Sequence, residues 1–137
     1  PLWAELAAEA SEAPPEVRAL RDIHALAHSR QERFLGRHQA HDGQPRVPPD
    51  GWAGRWDRGE RWAYLAFYPP VLRKWLQDLG YEPDAVFQGW AQRGWLEVSK
   101  GRRYEKQMRV QGEPQWMIVI RREAFREAAS TERGAGA

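Results

Sequence analysis

Five basic side chains lie close together in the last third of the chain: Lys100, Arg102, Arg103, Lys106 and Arg109. Residues 100–103 include a glycine and read as a turn between two strands, so these charges are expected to lie on a β-hairpin. Cations at this spacing can straddle a phosphate backbone, and Arg121 and Arg122 are expected to extend the patch. The alternative is a hairpin that its charges merely keep soluble. Three glutamates in the same stretch weaken the field: Glu97, Glu105 and Glu113.

A predicted helix that begins near Pro83 offers a second set of contacts. Its outward face is expected to include Gln88, Gly89, Gln92 and Arg93. Glutamine can pair with adenine edges, and arginine can reach guanine or phosphate. However, Glu82 and Asp84 lie at the start of the helix, where a phosphate would otherwise be attracted. Sequence-specific base reading by this helix is therefore expected to be weak.

Four histidines are the other candidates for chemistry. His24 and His28 are four residues apart on a predicted helix, so they could share a face and bind a metal, and His38 and His41 follow in a loop. A metal site needs further ligands at short range, and the chain contains no cysteine. Solvated or partly packed histidines are the favoured interpretation, so neither a metal nor any other cofactor is predicted.

The motifs of common enzymes are missing from the sequence. It contains no G-x-x-x-x-G-K-[ST] loop to cradle a nucleotide, no G-x-S-x-G turn for a nucleophilic serine and no paired acidic metal motif. The piece is therefore predicted not to be an enzyme, although a protein that contains it could hydrolyse nucleotides elsewhere.

Eight tryptophans give the chain an unusual aromatic content. Trp75, Trp90 and Trp95 fall on the apolar stripes of their predicted elements and are assigned to the core. Four aromatics interleaved with arginines could instead stack on single-stranded bases, namely Trp56, Trp62, Tyr64 and Tyr104. Trp52, Trp56 and Trp62 lie on a predicted β-ribbon formed by residues 52–56 and 62–68. For these three both interpretations stay open, because only exposed rings can stack on bases.

Composition limits the kind of protein this is. A length of 137 residues with 42% apolar side chains suits one domain with a real core, and the net charge is only +2. Residues 1–50 carry 6 basic and 8 acidic side chains, whereas residues 51–137 carry 15 and 11. No membrane-spanning run and no signal peptide are visible, so a cytoplasmic location without a membrane partner is expected. Because the chain starts with Pro1, it is interpreted as a piece of a longer protein.

The apolar spacing and the prolines and glycines predict the elements that hold these residues. Helices are predicted over residues 2–10, 15–37, 69–80, 83–94 and 123–129, and a loop over 38–51. Strands are predicted over residues 52–56, 62–68, 95–98, 104–110 and 116–120, with a turn over 111–114. The order helix, helix, strand, basic turn, strand is typical of a winged helix-turn-helix.

The predicted fold class is therefore α+β, a winged helix-turn-helix with an N-terminal helical arm and a basic β-hairpin wing. We expect residues 1–50 to form the helical arm with a Pro/Gly-rich loop that packs on the core. Residues 51–129 are expected to form the winged-helix domain, and residues 130–137 a disordered tail.

From about Phe34 to Ile120 the chain also resembles the C-terminal region of a helicase/primase family of phages and integrated mobile elements, a domain family of unknown function. The matching segments are Trp52-Ala53-Gly54-Arg55, Tyr68-Pro69-Pro70-Val71-Leu72, Leu79-Gly80, Val86-Phe87, Arg93-Gly94-Trp95-Leu96 and Val110-Gln111-Gly112. In such proteins the nucleotide-hydrolysing core lies upstream. The resemblance implies an appended, non-catalytic domain, and it assigns no functional residue because the matched positions are folding positions.

Two functions are consistent with these observations. In the first, the domain binds DNA, single- or double-stranded, mainly through electrostatic contacts of the wing, and helps a larger replication motor hold it. In the second, the domain docks on an upstream ATPase core of the same polypeptide or on a replication partner. The near-neutral charge and the acidic helix start favour docking, which would require an exposed apolar patch. The basic wing favours DNA binding, which is the preferred hypothesis.

Overall fold

The computed structural model describes residues 13–37 and 47–136, with side chains as far as Ser130. This part of the chain contains four α-helices: α1 (Pro15–Ser29), α2 (Pro69–Asp78), α3 (Pro83–Gln92) and α4 (Arg122–Gly136). Its strands are β1 (Phe34–Leu35), β2 (Gly54–Arg55), β3 (Tyr64–Phe67), β4 (Leu96–Glu97), β5 (Lys106–Val110) and β6 (Glu113–Arg121). The predicted helix over residues 2–10 and residues 38–46 of the predicted loop lie outside the described residues.

Prolines and glycines set the helix ends, as the sequence predicts. Helices α1, α2 and α3 each have a proline in the first turn, where the missing N–H costs no hydrogen bond. Gly80 and Gly94 follow α2 and α3 with φ of +89° and +73°, the left-handed conformation that stops a helix. The pair α2–α3, with only four residues between its helices, is the predicted helix-turn-helix.

Strand β6 is the central element of the sheet, whose order is β1-β2-β3-β6-β4. Its second half pairs antiparallel with β3 on one edge, with Tyr64 opposite Arg121 and Phe67 opposite Ile118. On the other edge β4 pairs with the second half and β5 with the first half. The arrangement β3-β6-β4 beside α2 and α3 confirms the predicted α+β winged-helix class.

The wing hairpin is β5–β6, and it differs from the predicted turns. Its turn has only two residues, Gln111 and Gly112, with φ of +53° and +84°. Two positive φ values match the twist of a two-residue hairpin turn. The predicted turn over residues 111–114 is therefore too long, because strand β6 already begins at Glu113 and Pro114 pairs with Arg109.

The prediction of one helix from Pro15 to Arg37 is wrong. Helix α1 ends at Ser29, and Phe34 and Leu35 form strand β1, parallel to β2. The reason is tertiary, because Phe34 joins the core beneath the helices while Leu35 joins a separate cluster. An extended backbone places consecutive side chains on opposite faces, which a helix cannot do.

The main core lies between the helices and one face of the sheet. Leu20 and Ile23 of α1, Leu72 of α2 and Trp90 of α3 are fully buried there against Ile118 and other β-strand residues. The predicted core tryptophans Trp75, Trp90 and Trp95 are at most 4% exposed. A smaller cluster on the opposite face contains Leu35, Ala66, Val110, Met117 and Val119.

The division of the chain into an arm, a winged-helix domain and a tail stays a prediction. In the described part, α1 and β1 share one buried core with the segments from Ala53 to Ala128. The backbone of α4 continues past Ala129 to Gly136.

Gly54 provides a test of the strand pairing. A Cβ atom at this position would lie 1.8 Å from the carbonyl oxygen of Ala66 on β3. The oxygen is a backbone atom of the paired strand and cannot move aside, so Gly54→Ala must separate β2 from β3. We expect a loss of about 3 kcal/mol in the free energy of unfolding. Urea unfolding followed by tryptophan fluorescence measures this loss, and an unchanged midpoint would contradict the pairing.

Candidate nucleic-acid interface

Helix α3 is held in place by its contact with the start of α1. A Cβ atom at Gly89 would lie 2.8 Å from both Cβ and Cγ of Glu16, so the two helices approach more closely there than a larger residue would allow. The indole Nε1 of Trp90 donates a 2.8 Å hydrogen bond to the backbone oxygen of Glu16. The expectation that Gly89 faces outward is therefore wrong, since it packs against α1.

The accessible face of α3 carries two glutamines. Gln88 and Gln92 are exposed and four residues apart, so they lie on one side of the helix. Arg93 follows the helix, but its guanidinium donates from Nε and Nη2 to Oε1 of Glu16 at 3.2 and 3.1 Å. This ion pair neutralises the cation that the sequence assigns to the recognition surface.

The N-terminal end of α3 is acidic. Asp84 lies in the first turn and forms a 3.0 Å ion pair with Arg73 of α2, and Glu82 is exposed just before the helix. The carboxylates occupy the helix end where backbone N–H groups would otherwise attract a phosphate. The acidic side chains therefore lower the attraction of this helix end for a phosphate, and weak base reading by α3 stays a prediction.

Residues 99–105 form a loop between β4 and β5, which we call the wing turn. The prediction that residues 100–103 are the turn of a β-hairpin is wrong, because β4 and β5 both pair antiparallel with β6. Backbone hydrogen bonds close it, from Ser99 N to Glu105 O at 2.9 Å and from Arg102 N to Ser99 O at 3.0 Å. The ring of Tyr104 lies 5.8 Å from that of Phe87, so the wing turn is attached to α3. The wing turn therefore lies beside α3, the helix that bears Gln88 and Gln92, as a wing does in this fold.

Three of the predicted cations belong to the wing turn and are exposed: Lys100, Arg102 and Arg103. The guanidinium of Arg102 lies 3.9 Å from the ring centroid of Trp116, and that of Arg103 lies 5.7 Å from the ring of Tyr104. Stacking on an indole fixes the direction of a guanidinium while leaving its N–H donors at the rim. The sequence offered no sign of the Arg102–Trp116 contact, because the two residues are fourteen positions apart with strand β5 between them.

The remaining predicted cations are distributed differently. Lys106 and Arg109 are three apart on β5, so their side chains leave opposite faces of the ribbon. Lys106 Nζ pairs with Glu97 Oε1 at 3.4 Å, and Arg109 Nη1 donates to the carbonyl oxygen of Gly112 at 3.2 Å. The basic set is therefore not a single surface.

Arg121 and Arg122 do not extend the wing patch. Arg121 pairs with Tyr64 at the far end of β6, five residues beyond Trp116, which is roughly 16 Å along a strand. The expectation that these two arginines continue the wing is wrong, because β6 runs straight from the wing into the core sheet.

The aromatics proposed to stack on bases differ in exposure. Trp56 is fully buried, so it cannot stack on a base. Trp52, Trp62, Tyr64 and Tyr104 are half-buried, and each packs against one of the two clusters. Their faces are already partly used in packing.

His24 and His28 form a packed pair. Their Nε2 atoms are 3.1 Å apart, a distance that one N–H···N hydrogen bond satisfies, and the His24 ring lies 4.4 Å from that of Phe125. Burial, followed by the charges of His28 and Arg37, lowers the pKa of His24 from 6.5 to about 4. Within the described ranges no cluster of three metal-ligating side chains occurs, and His38 and His41 lie outside those ranges.

None of the helices in the described part is both long enough and apolar enough to cross a bilayer.

The helix pair α2–α3, the strand order and the basic wing turn together define a winged helix-turn-helix domain. Residues 18–123 match the family model described as the Cch helix turn helix domain, so the chain belongs to that family. The match covers most of the chain and includes both α3 and the wing turn. No curated protein matches the chain.

Membership in this family indicates a general kind of function. Helix-turn-helix domains typically bind DNA and are typically not catalytic, so nucleic-acid binding is the function that the family suggests.

The histidine pair predicts a specific pH dependence. Between pH 6.5 and about 4 the unfolded chain protonates His24, whereas the folded chain keeps it neutral. The contribution of this residue to the free energy of unfolding is therefore complete above pH 6.5 and is lost as the pH falls toward 4. We expect the melting temperature of the wild type to fall more between pH 7.5 and 5.5 than that of His24→Gln, which has no titrating ring. Circular dichroism melts at each pH measure this fall. An equal fall in the melting temperature of the two proteins would contradict the buried neutral state of His24.

Proposed function

We propose that this domain binds DNA mainly through electrostatic contacts of the wing turn with the phosphate backbone. Lys100, Arg102 and Arg103 make the principal contacts, and Gln88 and Gln92 of α3 face the same ligand. Lys106 and Arg109 contribute at the edges of the ribbon, and Arg93 contributes only if its ion pair opens.

The observation that carries this proposal is the uneven pairing of the cations. Arg93 and Lys106 have carboxylate partners at 3.1 and 3.4 Å. Lys100, Arg102 and Arg103 are exposed and form no ion pair with any residue in the described part. Unpaired exposed cations keep their full attraction for phosphate, whereas paired cations must first give up a partner.

The structure of α3 favours sequence-independent binding. Two glutamines can pair with adenine edges, but each amide supplies only a neutral contact. The cation beside them is bound to Glu16, and the helix start is acidic. The affinity should therefore depend strongly on salt and weakly on sequence.

The place of the domain in its parent protein is part of the proposal. The sequence resembles the C-terminal region of phage and mobile-element helicases or primases, and it has no nucleotide-binding or catalytic motif. We infer an accessory, non-enzymatic role in which the domain holds DNA for an upstream ATPase core of the same cytoplasmic polypeptide during replication.

The docking alternative requires an exposed apolar surface. Among the described residues the exposed large apolar side chains are Val47, Leu79 and Val98, which come from three separate loops. Scattered single residues of this kind are normal on a domain surface. This observation gives docking no support beyond the charge balance of the sequence.

A salt titration of DNA binding tests the proposal. We expect Arg102→Ala with Arg103→Ala to weaken the binding of labelled duplex DNA and to reduce the slope of log K against log salt by about 2, since each lost phosphate contact removes about 0.9. Fluorescence anisotropy from low to physiological salt measures both quantities, on duplex and single-stranded DNA.

Two control variants separate charge from base reading. Arg102→Lys with Arg103→Lys keeps the charges, so its slope should stay close to that of the wild type. Gln88→Ala with Gln92→Ala removes the exposed amides and should change binding to mixed-sequence DNA little. A wild-type slope for the double alanine variant would overturn the wing contact.

A further inference from the structure

A second group of arginines lies at the end of the sheet that is remote from the β5–β6 turn. We call it the arginine pole, and it consists of Arg37, Arg55, Arg58, Arg61, Arg121 and Arg122. Three segments supply these residues: the end of β1, the region from β2 to the start of β3, and the junction of β6 with α4. The same segments contain only three carboxylates, Asp57, Glu60 and Glu123.

Hydrogen bonds to backbone carbonyls join the three segments. Arg37 Nε donates to the carbonyl oxygen of Asp57 at 3.2 Å, and Arg58 Nη2 donates to that of Arg37 at 2.8 Å. Arg122 Nη1 donates to the carbonyl oxygens of Glu60 and Trp62. These acceptors are neutral backbone oxygens, so the bonds position the guanidinium groups and do not themselves neutralise Arg37 or Arg122.

Two tryptophans further fix the arginine pole. The guanidinium of Arg37 lies 3.3 Å from the ring centroid of Trp56. The half-buried Trp62 has Arg37 at 5.9 Å and Arg122 at 5.0 Å from its centroid. Since less side-chain freedom remains to be lost, a ligand would bind these cations at a lower entropic cost.

The cations of the arginine pole repel one another. Burial and the nearby charge of Arg58 lower the pKa of Arg37, while Asp57 raises it. Arg55 pairs with Asp57 at 3.4 Å, whereas Arg61 and Arg121 are exposed and pair with no carboxylate of the described residues. A polyanion at this surface would offset the repulsion that the fold maintains.

We propose that the arginine pole binds the phosphate backbone of nucleic acid as a second contact surface, separate from the wing turn. All six cations are arginines, whose planar guanidinium groups suit bidentate contacts with phosphate. Arg121 lies roughly 16 Å from Trp116 along β6, so the two surfaces reach different phosphates. This inference rests on the proposed function only in taking nucleic acid as the ligand.

Removal of charge at the arginine pole tests the inference. The variant Arg61→Ala with Arg121→Ala changes two exposed side chains, and we expect it to weaken binding to mixed-sequence duplex DNA and to lower the salt slope by about 2. Glu60→Gln should have the opposite effect, a tighter complex, because it removes a negative charge while the backbone oxygen that accepts from Arg122 remains. Anisotropy titrations give both affinities, and thermal melts confirm that each variant is folded.

A matched control excludes a simple effect of net charge. Arg30→Ala with Lys74→Ala removes two cations from the cleft between the end of α1 and α2, so its net charge equals that of the pole variant. If the pole variant binds no more weakly than this control, the inference is overturned.

The variant Arg102→Ala with Arg103→Ala, measured in the same assay, distinguishes failure of this inference from failure of the proposed function. A loss with the pole variant and none with Arg102→Ala plus Arg103→Ala would support the arginine pole and overturn the wing contact. A loss with the wing variant alone would overturn the arginine pole and leave the proposed function standing.

Discussion

The contact between Glu16 of α1 and the last two turns of α3 is the constraint on which the rest of the interface depends. Gly89 lets the helices approach closely, Trp90 binds the backbone oxygen of Glu16, and Arg93 binds its carboxylate. These three contacts place one side of α3 against the start of α1. The exposed residues of α3 are Asp84, Ala85, Gln88 and Gln92, and of these only the two glutamines offer amides to base edges, which limits what this helix can recognise.

Strand β6 sets the positions of the two charged surfaces. Its first half forms the wing ribbon and bears Trp116, on which Arg102 lies, while its second half crosses the core and ends at Arg121. Because a nine-residue strand is nearly straight, the two ends are held well apart. The net charge of only +2 gives no sign of these two basic surfaces, because it sums acidic and basic side chains that lie in different parts of the molecule.

The helix-turn-helix could be predicted from the sequence because local signals agree with the fold. Pro69 and Pro83 begin helices, Gly80 and Gly94 end them, and the apolar residues between follow a helical period. Strand β1 could not be predicted, because Phe34 and Leu35 continue an apolar pattern that suits a helix equally well. The choice between helix and strand was made by two separate clusters, each of which buries one of the two side chains.

The candidate site shows the same division. The amino-acid sequence by itself determined the fold class, the position of the α2–α3 pair and the presence of a basic turn at residues 100–103, because these depend on contacts between near neighbours. Tertiary structure alone decided which cations stay unpaired, since Arg93 meets Glu16 and Lys106 meets Glu97 only after the chain has folded. It also separated Arg121 from the wing and placed it beside the start of β3, opposite Tyr64, and electrostatic energy depends on such distances in space and not on distance along the chain.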